Sequence, residues 1–290
     1  MNRNRLKNIS LLGMALCLSY LPSPAHAQES THPLRDFSPN RPGATLSSHT
    51  IDAGHFLIES ELLGYTYHRS AGFSPTDGSV LTSIDKTFSF NNFLITYGLT
   101  DQWEFALGLP NFLSRSSVVD SLAGRNTQNQ TSVSDLSPRL KVSVFGNESG
   151  AWVGALVTTL RLPTHTGNLG TSQVDGGVSF PLSVTLPDNL SLTLMPEIDE
   201  RTNDSGIGYH AEVVVDLFAL RSLTPLLDGY VQLTSLSSLA NTGASSWQAT
   251  AGVGAAIHLG KNTQLDFGIN LGLTAAADDF NPLVGIATRY

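Results

Sequence analysis

The chain has 290 residues, 14% charged and 41% hydrophobic, with a formal net charge of −8. A charged share well below the usual quarter argues against a disordered chain, and net negative charge argues against a nucleic-acid partner. One Cys in the whole sequence leaves neither a disulfide scaffold nor a thiolate metal site. A mean hydropathy close to zero rules out a helical membrane protein, but not a membrane β-barrel, whose strands average apolar and polar positions.

The chain opens with Arg3, Arg5 and Lys7, then a short apolar run from Ile9 to Leu21, then Ala25-His26-Ala27. This is the pattern of a secretory signal peptide over 1–27, cleaved before Gln28. The run is too short for a membrane anchor. Leu16 before Cys17 is too bulky for a lipoprotein site. Cleavage takes three of the 16 bases and none of the 24 acids, which brings the mature charge to −11. Residues 28–54 are punctuated by Pro33, Pro39, Pro42, Gly43 and Gly54 and read as an extended periplasmic lead-in.

From 55 to 290 the chain alternates apolar and polar residues, the strand period of two. Leu265, Phe267, Ile269 and Leu271 alternate with Gln264, Asp266, Gly268 and Asn270. Twelve strands are expected, near 55–67, 87–97, 102–110, 135–145, 151–162, 176–186, 190–199, 209–219, 224–234, 247–259, 264–273 and 281–290. Short and long connections strictly alternate between them. That asymmetry belongs to an all-β fold of one kind, a transmembrane antiparallel up-and-down β-barrel with short periplasmic turns and longer external loops. An even strand count puts both chain ends on the periplasmic side. A soluble β-sandwich has no reason to keep every second loop short. Pro138, Pro181, Pro196, Pro225 and Pro282 interrupt the expected strands and count against the pattern.

The aromatic residues Phe56, Tyr97, Trp103, Trp152 and Tyr290 fall on the apolar register beside the periplasmic end, and Tyr209 and Trp247 near the outer end. Membrane barrels carry such rings at both lipid interfaces. The terminal alternation Val284, Ile286, Thr288, Tyr290 resembles the signal by which the outer-membrane assembly machinery reads a last strand. The polar register sends Glu59, Glu61, Glu104, Glu197, Asp199, Glu212, Asp216, Asp228 and Asp266 inward, joined by Arg139, Lys141, Arg161 and Arg289. Charge facing lipid would be costly, so the shared register supports a lumen, read as mildly acidic.

Several short motifs resemble the MetA-pathway phenol-degradation family of outer-membrane transporters. They are Arg41-Pro42-Gly43, Gly54-His55-Phe56, Tyr97-Gly98-Leu99-Thr100-Asp101, the Asp135–Lys141 strand, Leu162-Pro163-Thr164 and Gln264–Gly268. A glycine that the family often places before the Asp-Leu pair is replaced here, where Val133-Ser134 stand. The resemblance implies an aromatic or hydrophobic solute and carries over no catalytic residue.

No HExxH, GxSxG or phosphate-binding loop occurs. His68-Arg69-Ser70 gives a lipid hydrolase reading that lacks a placed third group. His165, His210 and His258 are scattered and form no metal set; Asp278-Asp279 read as a solvated loop. No cofactor is expected. The expected partners are outer-membrane lipid, the assembly machinery and a small solute, with no nucleic acid. The reading is therefore a passive outer-membrane channel. A structural or assembly-related barrel is the alternative, and a lipid hydrolase a lesser one.

Overall fold

The computed structural model describes residues 34–73, 80–122, 124–203, 205–239 and 245–290. The proposed signal peptide lies outside the described residues. Fifteen strands are formed, and no helix occurs among the described residues. They are β1 Phe56–Phe73, β2 Val80–Gly98, β3 Trp103–Gly108, β4 Phe112–Ser121, β5 Gly124–Val133, β6 Ser137–Phe145, β7 Trp152–Arg161, β8 Asp175–Ser179, β9 Leu182–Leu186, β10 Leu190–Thr202, β11 Tyr209–Thr224, β12 Leu227–Leu239, β13 Ser246–His258, β14 Thr263–Gly272 and β15 Phe280–Arg289.

Three pairs of these are single staves with a break. β3 and β4 both pair with β2, β5 and β6 run beside them, and β8 and β9 both lie between β7 and β10. The result is the expected twelve antiparallel staves. β1 pairs with β2 on one side and with β15 on the other, which closes the barrel and leaves no long edge. At the seam, Phe56 N–H donates to Tyr290 O at 3.0 Å and Tyr290 N–H donates back to Phe56 O at 2.8 Å.

Prolines mark one of these breaks and other gaps in the ladders, while Pro138 lies within β6 opposite Leu107. Pro181 sits between β8 and β9, and Pro196 on β10 falls where neither half pairs. Pro225 lies in the β11–β12 turn. Pro282 has no β1 partner, because that ladder skips from Gly64–Leu283 to Tyr67–Phe280. A residue without an N–H is placed where no ladder bond is needed. The tight β9–β10 turn puts Asp188 at φ 63° and Asn189 at φ 55°, left-handed conformations that short polar residues tolerate.

Polarity is inverted relative to a soluble protein. Asp266, Glu59, Lys141 and Asp216 are buried, whereas Leu217, Val231, Leu233, Val253 and Phe267 are exposed on the outer surface. Such a contiguous apolar exterior needs lipid against it. Phe56 and Tyr97 meet at a tilt 4.6 Å apart at the inner end, and Trp103, Trp152, Trp247 and Tyr290 are exposed; Tyr209 is half-buried. Further rings join Tyr209 and Trp247 in the outer belt. Tyr65 meets Phe88 at 4.7 Å and Phe280 at 5.7 Å, and Phe90 meets Phe112 at 6.2 Å. The nine residues from Phe56 to Tyr65, at about 3.3 Å each and about 40° of tilt, climb roughly 23 Å, close to the apolar height of such barrels.

The strands differ from expectation above that belt. β1 runs on to Phe73, β2 starts at Val80, and the expected loop 111–134 holds β4 and β5. β5 reads Gly-Arg-Asn-Thr-Gln-Asn-Gln-Thr-Ser-Val. Beyond the membrane both faces of a strand meet water, so the alternation that marks a stave is lost.

Candidate functional site

Arg35–Gly54 forms no strand, yet its groups bond to residues on eight different strands, β10 through Met195 and β2 through Gly98 among them. Asn40 Nδ2 donates to Glu59 Oε2 at 2.6 Å, and Arg41 N–H to Glu59 Oε1 at 3.0 Å, on β1. Ile51 N–H donates to Glu104 Oε2 at 2.8 Å on β3. Lys141 Nζ on β6 reaches Asn40 Oδ1 and His49 O, both at 3.2 Å, and Glu104 at 2.9 Å. Ala44 N–H donates to Gln232 Oε1 at 3.0 Å on β12. Arg41 Nε and Nη2 donate to the two Asp266 oxygens at 3.0 and 2.7 Å on β14. Arg289 on β15 pairs with Asp52 at 3.2 Å. A short segment that bonds to staves all round a closed ring lies inside it, so this segment threads the inner end of the barrel.

The Arg-Pro-Gly motif has a steric basis. A Cβ at Gly285 would meet the Arg41 guanidinium at 2.2 Å. Gly43 holds φ at +93°, and a Cβ there would lie 2.8 Å from the Phe218 ring and 2.6 Å from Gln232. Phe218 and Tyr230 stack at 5.4 Å beneath it. Burial alone pushes the Arg41 guanidinium down, but Asp266 outweighs this and holds it above its ordinary value. Burial, then the charges of Arg35 and Lys141, push the His49 imidazole below its ordinary value.

Most of the remaining inward charges are also taken. Glu61 accepts from Ser89 at 2.6 Å and Asp216 from Thr234. Asp228 pairs with His258 at 2.7 Å, Arg201 with Asp199 at 2.6 Å, and Glu212 with Arg201 at 3.5 Å and His210 at 3.3 Å. Arg161 stands 3.9 Å from Asp175, while Arg139 donates only to Thr159 at 3.2 Å and Glu197 has no base in contact among the described residues. His165 bonds to Asp135 at 3.1 Å, so His165, His210 and His258 sit on separate carboxylates. His68 Nδ1 faces the Ala277 carbonyl at 3.0 Å, not Ser70. Arg69 N–H donates to Asp279, which ties the Asp278-Asp279 loop to β1.

Sequence reasoning missed Arg41, Asn40, Gln232, Asp175 and Arg201. Arg41-Pro42-Gly43 was the one available signal, and it gave no partner.

The lumen narrows inward. At the outer end a cavity of about 1410 Å³ is lined by Arg115, Arg161, Asp175, Arg201, His210 and Glu212, among others. Below it a chamber of about 280 Å³ shares Arg161 and Arg201 and is bounded by Ala44 and Leu46 of the threaded segment. Between that segment and the wall, beside His49, Glu104 and Lys141, lies a pocket of about 20 Å³.

The sequence profile of the family described as "Putative MetA-pathway of phenol degradation" matches residues 39–290. The chain belongs to this family. No curated protein matches it in sequence. Among solved structures, an outer-membrane channel from Pseudomonas putida F1 is similar at 14% identity and a TM-score of 0.56, over 84% of this chain and 98% of that one. The NanC porin aligns at 10% identity and a TM-score of 0.48, over 80% and 98%. The transport unit of the autotransporter AIDA-I from Escherichia coli aligns at 9% and 0.48, over 96% and 97%. For this family member the fold is that of outer-membrane barrels.

Proposed function

We propose that the protein is a passive outer-membrane channel for a small solute. Residues 1–27 export it, and the threaded segment Arg35–Gly54 forms its inner constriction. The observation that supports this most is the pair of polar cavities, the outer one and the 280 Å³ chamber, that adjoin at Arg161 and Arg201. A barrel built only as a structural element has no need of a tapering charged lumen. The family's description supports a small organic molecule as the solute, and the structurally similar Pseudomonas putida protein is itself called a channel.

The narrow space beside the threaded segment favours a second reading, a closed barrel without transport. One experiment separates the two. The full chain, reconstituted in planar bilayers and in liposomes, should conduct ions and admit small solutes in the swelling assay. A folded, heat-modifiable barrel that passes neither would leave the structural reading in place.

A further inference from the structure

The 280 Å³ chamber holds three bases and two acids, and their pairing is uneven. Asp199 takes Arg201 at 2.6 Å, and Arg161 leans on Asp175 at 3.9 Å. Among the described residues, Arg139 has no carboxylate in contact, and Glu197 has no base of its own. Neither Nη of Arg139 finds an acceptor among the described residues, and neither is sealed from open space. Glu59 and Glu104, the other carboxylates near Arg139, are committed to Arg41 N–H with Asn40 and to Lys141 with Ile51 N–H. Glu197 lies on the same strand face as Asp199 and shares a side-chain hydrogen bond with it, so a single base, Arg201, serves two carboxyl groups. One cation without a carboxylate, and a carboxyl pair with one base between them, therefore face the same small space without touching each other. In a narrow lumen such charges are only partly hydrated and gain from complementary partners. Leu46 and Met195 add an apolar surface to the same chamber.

We propose that this chamber binds a small zwitterion, an α-amino acid with an apolar side chain. Its carboxylate is held by Arg139, its ammonium by Glu197, and its side chain by Leu46 and Met195. The volume is just under the usual range of ligand pockets, about 300–1000 Å³, and suits a molecule of this size. The inference rests on the channel reading and names its solute class.

The test is calorimetric titration of the detergent-solubilised full chain with leucine, 4-methylpentanoate and 3-methylbutylamine. Leucine should bind at least about tenfold more tightly than either one-charge analogue. Arg139→Gln and Glu197→Gln should each bring leucine down to the analogue level, with the heat shift of the barrel unchanged. Arg139→Lys keeps the charge but loses the two-pronged carboxylate contact; it should weaken leucine by less, and it serves if the Gln variant does not fold. Equal affinity for leucine and a one-charge analogue would overturn the proposal, as would unaltered binding in the variants or no binding by the folded wild type. Conductance in potassium chloride, measured on the same preparation, keeps the two readings apart. Conduction without leucine binding removes the site alone, and binding without conduction removes the channel alone.

Discussion

Arg41 and Asp266, 225 positions apart in the chain, meet through two hydrogen bonds of 3.0 and 2.7 Å, with Asp266 fully buried. This pair fastens the threaded segment to β14. Removing one partner leaves a buried charge unpaired, which costs about 3–5 kcal/mol. Arg41→Ala should therefore loosen the segment while the closed wall persists. The expected result is a larger and noisier single-channel conductance with a normal heat shift. Replacing both partners with apolar residues, Arg41→Met with Asp266→Leu, should recover much of the loss. Equal conductance in wild type and Arg41→Ala would show that the pair does not hold the constriction.

Gly43 gives a second handle on the same segment. Its φ of +93° suits no β-branched side chain, and a Cβ would press on the Phe218 ring. Gly43→Val should displace the segment and raise the rate at which added protease cuts it in liposome-reconstituted protein. Gly72→Ala, where a Cβ meets nothing within 4 Å, should leave that rate unchanged.

His49 makes the seating pH-dependent. Its imidazole is held below its ordinary value by burial, Arg35 and Lys141, against a weaker pull from Asp36 and a hydrogen bond to the Asn147 backbone carbonyl. The seated state thus resists protonation more than the released state does. Seating is fully favourable above the ordinary histidine value of about 6.5 and weakens as pH falls below it. Conductance noise should rise between pH 7.5 and pH 5, and His49→Gln should flatten that rise. A rise of the same size in His49→Gln would assign it to the carboxylates instead.

Tyr290 should matter for assembly. Its backbone makes both seam bonds with Phe56, and its ring is exposed at the inner rim. Deleting it removes two ladder bonds and an interface anchor together. The heat-shifted, folded fraction in outer membranes should drop sharply, and Tyr290→Phe, which keeps the ring and backbone, should keep it high. An undiminished folded fraction on deletion would mark the terminus as dispensable.

The wall was legible because lipid on one side and polar groups on the other impose a strict period of two. Gln264 to Leu271 displays it without a break, and the tight turns at one end fixed the stave count. β4 and β5 escaped because they stand in water on both faces. The threaded segment escaped for a different reason. Alternation says that Glu59, Glu104 and Asp266 point inward, but not what they meet there. Their partners Asn40, Lys141 and Arg41 are bound by three-dimensional closeness, which no local spacing encodes. Arg201 was placed in a loop, since β10 runs on to Thr202 past the last apolar position of its pattern.

The threaded segment precedes the first stave in the chain, yet two of its fasteners, Asp266 and Arg289, lie on the last two staves. The part synthesised early can therefore seat fully only after the part synthesised last has closed against β1. Contacts of such long sequence separation form late in folding. An unfinished barrel would hold Arg41 and Asp266 as two unpaired charges, and the ring and its stopper reach their stable forms in a single closing event.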